Sequence, residues 1–134
     1  MRKLFADIER LGGLASSREL RSFGHDRWSI EIPLLYGNLV RVRHGWFALP
    51  GEHAEIVRAW RVGGRLTCLS ALAWHEGQPM PPDLHVEVPG NTARLRSPDD
   101  ARRPLGGDER VVVHWARRPG PGDRRAVGVG DAWA

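Results

Sequence analysis

Apolar residues recur every three or four positions over residues 3–11. Leu4, Ile8 and Leu11 share one stripe, with Asp7 and Arg10 facing away, so the spacing predicts a short amphipathic helix ended by Gly12-Gly13. In "ASSRELRSFG", Ser16 or Ser17 can cap a second helix with Glu19 near the capping-box position. Leu20 and Phe23 then point inward, and Gly24 makes the turn. Asp26 is a good N-cap for a third helix, "RWSIEIPLLYG", closed by Gly37. The period then changes. "LVRVRHGWFALPG" alternates aliphatic and arginine residues, turns at His44-Gly45, returns over residues 46–49 and stops at Pro50-Gly51. This is a two-stranded hairpin with Arg41 and Arg43 on one face.

Helical periodicity resumes in "EHAEIVRAWRVGG", with Ile56, Val57 and Trp60 as the buried stripe and Gly63-Gly64 as the break. "RLTCLSALAWHEG" reads as another helix, with Leu66, Leu69, Leu72 and Ala73 inward. After the proline-rich linker "GQPMPPD" come two strands, "LHVEV" (84–88) and "VVVHW" (111–115), joined by a long arginine- and aspartate-bearing stretch. The final "RRPGPGDRRAVGVGDAWA" carries too little apolar surface to offset its ordering entropy and is expected to be mobile.

Three short helices followed directly by a hairpin make a winged helix-turn-helix pattern. The expected fold class is α+β. A winged helix-turn-helix occupies residues 1–51, a helical extension 52–78, the small β segment of an incomplete second domain 79–116, and a disordered tail 117–134.

Composition sharpens this picture modestly. The chain has 134 residues, is 41% hydrophobic and carries a formal charge of +4, which favours an anionic partner, nucleic acid first. Its single cysteine, Cys68, permits no internal disulfide and argues against a thiolate metal cluster. The opening "MRKLFADIERLGG" lacks the apolar core of a signal peptide, and no apolar run approaches a membrane span, so a cytoplasmic protein without a membrane partner is expected.

Candidate contacts follow from the pattern. Arg27 and Trp28 open the third helix and are candidates for the DNA groove; Arg18 and Arg21 on the second helix, with Arg41, Arg43 and His44 on the hairpin, are candidates for phosphates. Trp28, Ile32, Leu35 and Tyr36 share one face of the third helix. That apolar face either meets thymine methyls or packs on another protein surface. Pro33 inside the helix costs up to about 3 kcal/mol if the helix continues through it, and Glu31 would repel phosphates.

No enzyme is legible. There is no phosphate-binding glycine loop, nucleophile elbow or HExxH motif, and Asp99-Asp100 lie in a loop with nothing to fix them. No catalytic residue and no cofactor is therefore assigned. Cys68 and His75 read as packed side chains. His85 and His114 stand on strands that can pair, but two histidines with no cysteine or carboxylate cluster nearby make a poor zinc site, so no metal is expected.

"LGGLASSREL", "GHDRWSIEI", "YGNLVRVRHGWFALPG" and "VRAWRVGGRLTCLSALAWH" together resemble the N-terminal winged-helix domain of actinobacterial proteins classed with AbiEi-type antitoxins. Similar domains also front proteins with a C-terminal part like very-short-patch-repair endonucleases. The resemblance spans roughly residues 11–115. It implies sequence-specific binding to double-stranded DNA as a transcriptional regulator or antitoxin, with a cognate toxin or a second copy as further partner. Two alternatives stay open: a protein-interaction module on the same scaffold, and the DNA-targeting remnant of such an endonuclease. Neither a nuclease Asp/Glu/Lys set nor a full antitoxin C-terminal domain is present, and the third helix is less basic than is typical of the resembling family.

Overall fold

Leu4 and Ile8 carry the first helix, α1 (Arg2–Arg10), into a core they share with Ala15, Leu20, Ile30, Leu39 and Phe47. This core belongs to the first of two compact units, Met1–His53 and Ala54–Ala134. The computed structural model describes residues 2–130 and residue 132. The chain is an α+β protein, with five helices and three small sheets among the described residues.

In the first unit, α1 is followed by β1 (Leu14–Ser16), α2 (Ser17–Ser22), α3 (Arg27–Leu35), β2 (Val40–Arg43) and β3 (Trp46–Ala48). The predicted capping box forms. The Ser16 hydroxyl accepts from the Glu19 N–H at 3.1 Å, and the Glu19 carboxylate accepts from the Ser16 N–H at 2.9 Å. Asp26 caps α3 by accepting from the N–H and hydroxyl of Ser29 at 2.9 and 3.0 Å. The helix runs through Pro33, which is buried, and closes at Gly37 with φ +75°. The hairpin forms over the predicted residues, with Gly45 at φ +79° in the turn, but a bulge between Arg41 and Arg43 breaks the alternation that placed both arginines on one face, leaving Arg41 exposed and Arg43 half-buried. One strand was not legible in the sequence. Leu14–Ser16 pairs antiparallel with β3, giving the order β1-β3-β2.

Two first-unit side chains depart from their expected sides. Asp7 is buried rather than outward, because it has buried and cationic partners described below. Phe23 is 43% exposed rather than inward, since α2 ends before it at Ser22.

The second unit contains α4 (Ala54–Val62), β4 (Arg65–Leu66), α5 (Cys68–Glu76), β5 (Leu84–Pro89), β6 (Arg96–Ser97), β7 (Asp100–Pro104) and β8 (Val111–Ala116). β5 is central, antiparallel to β4 and parallel to β8. Parallel neighbours need a long crossover; residues 90–110 supply it and fold into the β6–β7 hairpin. The helices 54–62 and 68–76 thus belong to the same unit as the strands, rather than to a separate extension.

α4 buries Ile56, Ala59 and Val62, with Val57 and Trp60 half-buried. α5 buries Ser70, Ala71, Leu72 and Ala73, leaving Leu69 52% exposed rather than inward.

The C-terminal segment also departs from expectation. Residues 120–128 are held by backbone and side-chain bonds instead of trailing free. Leu66 donates its N–H to Arg125 O at 3.0 Å and accepts from Val127 N–H at 2.9 Å. Trp60 Nε1 donates to Arg124 O at 2.6 Å, and His75 Nε2 meets Val127 O at 2.6 Å. Ala126 and Val127 are buried. The low apolar content is offset by backbone carbonyls that find donors. Residues 131, 133 and 134 of the expected tail lie outside the described residues.

Candidate functional site

The candidate contact residues of the first unit lie on α2, α3 and the hairpin, and three further exposed cations, Arg2, Lys3 and Arg10, lie on α1. Arg18, Arg21, Arg27, Trp28, Arg41 and His44 are exposed, while Arg43 is half-buried. Two links tie the hairpin to the helices. The Ser17 N–H at the start of α2 donates to Gly45 O in the hairpin turn at 2.9 Å, which sets Arg18 in the chain segment beside His44. Arg41 Nη2 stands 3.9 Å from Glu31 Oε1 on α3, and its guanidinium lies 5.3 Å from the Phe47 ring centre. Glu31 therefore has a cation beside it, which offsets part of its repulsion of an anionic ligand. At the start of α3, the Arg27 guanidinium lies 5.6 Å from the Trp28 ring centre, a cation–π distance.

What fixes α3 relative to α1 was missed in the sequence. His25, in the turn between α2 and α3, is buried, and its Nε2 meets Asp7 Oδ2 at 2.7 Å. Arg10 Nη2 donates to the other Asp7 oxygen at 2.7 Å. The Arg10 spacing of three was visible, but nothing local marks His25 as a partner eighteen residues away. The His25 hydrogen bond, ahead of the charges of Arg10, His25 and Lys3, holds the Asp7 carboxyl below its ordinary value of 3.8, against the opposing effect of burial.

A carboxyl whose folded-state pKa is depressed contributes stability above its unfolded pKa and loses it as pH falls through the folded value. The first unit should accordingly lose amide-exchange protection in α1 and in the α2–α3 turn below about pH 4. Asp7→Asn should lower protection at neutral pH and flatten that acid limb. An acid limb unchanged by the substitution would remove the Asp7–His25 pair as its cause.

The apolar face of α3 is open. Trp28, Ile32, Leu35 and Tyr36 are 64%, 45%, 81% and 73% exposed, while Ile30 is buried and Leu34 packs against the core. Lys3, Leu4, His25, Trp28, Ile32 and Pro33 line a groove of about 420 Å³ between α1 and α3.

A second cluster lies in the other unit. Donor atoms of Cys68, His85 and His114 all lie within 4.8 Å of one another. His85 Nδ1 and His114 Nε2 are 3.0 Å apart, so in the neutral pair one ring donates to the other. Burial, then the neighbouring His114, lowers the His85 pKa from its ordinary 6.5, with Asp83 opposing.

The expectation that the two histidines have no cysteine nearby therefore does not hold in space. Parallel pairing of His85 with Val112 and of Glu87 with His114 puts both rings on one sheet face. The β4–α5 turn then returns Cys68 to the same place. Its signal in the sequence was only the alternation that sets both histidines opposite their valine neighbours.

Among the described residues, no helix is long and apolar enough to cross a membrane. No family model matches the chain, and no match to it was found among curated proteins.

Proposed function

We propose that residues 1–53 form a winged helix-turn-helix that binds double-stranded DNA, acting as a transcriptional regulator or antitoxin module. The observation that carries this reading is the α2–α3 pair followed by a basic hairpin whose turn is hydrogen-bonded to the start of α2. In such domains the second helix of the pair enters the major groove and its first residues meet base edges. Arg27 and Trp28 occupy that place on α3. Arg18, Arg21, Arg41, Arg43 and His44 would neutralise phosphates alongside. Arg27 opens α3 directly after the Asp26 cap, whose carboxylate is engaged by the N–H and hydroxyl of Ser29.

Alanine at both Arg41 and Arg43 should weaken binding to every duplex about equally. It should also reduce the slope of log affinity against log salt by about two. A slope that does not change takes the hairpin out of the interface.

The exposure of Trp28, Leu35 and Tyr36 favours a second reading, in which this face of α3 meets a protein, either a toxin or a second copy. Such an apolar association would not weaken steeply with salt, so the same titration separates the two readings.

A further inference from the structure

We propose that Cys68 Sγ, His85 Nδ1 and His114 Nε2 form a mononuclear zinc site in the second unit, independent of the DNA-binding reading. The donor set is one thiol and two imidazoles, which suits a borderline-soft divalent ion. Tetrahedral zinc, with Zn–N of about 2.0–2.1 Å and Zn–S of about 2.3 Å, sets its nitrogens about 3.3 Å apart and its sulfur about 3.6 Å from each. The two nitrogens already stand 3.0 Å apart and the sulfur lies within 4.8 Å. A small opening of the ring pair and a swing of the thiol by about 1 Å complete the geometry. On binding, the ring that donates in the pair carries its proton on its outer nitrogen instead, so that both facing nitrogens are free to ligate, and the Cys68 thiol releases its proton to solvent.

The surrounding backbone holds these donors in place. Both main-chain groups of His85 are taken by the start of α5: its carbonyl accepts from the Thr67 N–H at 3.0 Å, and its N–H donates to the fully buried Ser70 hydroxyl at 2.9 Å. Cys68, the first residue of α5, has φ +51°, a left-handed conformation uncommon outside glycine. Strained backbone of this kind gathers at functional sites. The Thr67 side chain makes no capping bond, so the helix start is shaped by its contact with β5 rather than by an N-cap.

Of the carboxylates beside the cluster, Glu87 on the same sheet face is committed to Arg65 at 2.6 Å, and Asp83, just before β5, pairs with Arg110 at 3.0 Å. Three protein donors thus leave the fourth position for water or for a donor atom of an incoming ligand. The ion would tie α5, β5 and β8 together.

The test uses the full chain without a histidine tag, stripped by chelator. One equivalent of Zn²⁺ should raise the melting temperature of the second unit. One equivalent of Co²⁺ should give visible bands of tetrahedral intensity and a sulfur-to-cobalt charge-transfer band in the near ultraviolet. Cys68→Ser should abolish the charge-transfer band. His114→Gln should weaken Zn²⁺ binding by more than the factor of about 10–100 typical of losing an outer-shell partner. A melting temperature unmoved by Zn²⁺, or a cobalt spectrum lacking the sulfur band, overturns the site; both readouts use the unmodified protein and so do not depend on a variant folding. Undiminished Zn²⁺ binding by the double variant Cys68→Ser, His114→Gln overturns it as well.

Discussion

Gly64→Ala should destabilise the second unit by at least about 3 kcal/mol, lowering its melting temperature by more than about 10 °C. A Cβ at this position would stand 1.8 Å from Glu87 O and 2.8 Å from Glu87 C. Neither atom is the free end of a side chain. Both belong to the central strand β5, which is paired on each side, so relief requires the β4–β5 ladder to open. The preceding Gly63 has φ +150°, and both glycine N–H groups bond to Ala59 O at 3.1 and 3.2 Å to close α4. The tight turn and the close approach together require glycine at 64. Thermal melting and denaturant titration of the alanine variant check the magnitude; a loss below about 1 kcal/mol would mean that β5 yields far more readily than a central strand should.

The second large effect is expected at the neighbouring residue. Arg65 is almost fully buried and uses three nitrogens: Nε to Glu87 Oε2 at 2.6 Å, Nη1 to Asp123 O at 3.0 Å and Nη2 to Gly120 O at 3.0 Å. Arg65→Ala leaves a carboxylate and two carbonyls without their donor and should cost about 3–5 kcal/mol. Replacing both charges by apolar side chains, Arg65→Met with Glu87→Leu, should recover most of that loss, because the uncompensated charge is then gone. It should not restore the grip on residues 120–123. Both variants should thus be cut faster by protease in the C-terminal segment, although only the single one melts early. Equal melting of the two variants would show that the buried charge is not the main term.

Much of the architecture was legible because it is local. Ser16 with Glu19, Asp26 with Ser29, and the His44-Gly45 turn each lie within a few residues, and each forms as its spacing predicts. The alternation in "LHVEV" and "VVVHW" likewise located β5 and β8. The features that escaped are those decided by distant partners. β1 is only three residues long and is a strand because β3 offers it an edge. Asp7 looked like a solvent-facing helix residue until His25 arrived beside it. Leu69 has the right spacing for the α5 core, yet the tight entry from β4 turns Ser70 inward and Leu69 out. The candidate contact residues of the first unit were identified by type and position, whereas the Cys68, His85 and His114 cluster needed the sheet register to bring it together.

The bridge between Leu66 and Ala126 has a consequence for the order in which the protein is made. The first unit ends at His53, so its three strands have their sheet partners once that residue clears the ribosome. The second unit cannot complete β4 until residues 125–127 have been translated, because Leu66 bonds to Arg125 and Val127. At about 5–20 residues per second, the interval between the two events is about 4–15 s. During it, the emerging β4 lacks the segment that covers its open edge, a state in which unpaired strands invite association with other chains.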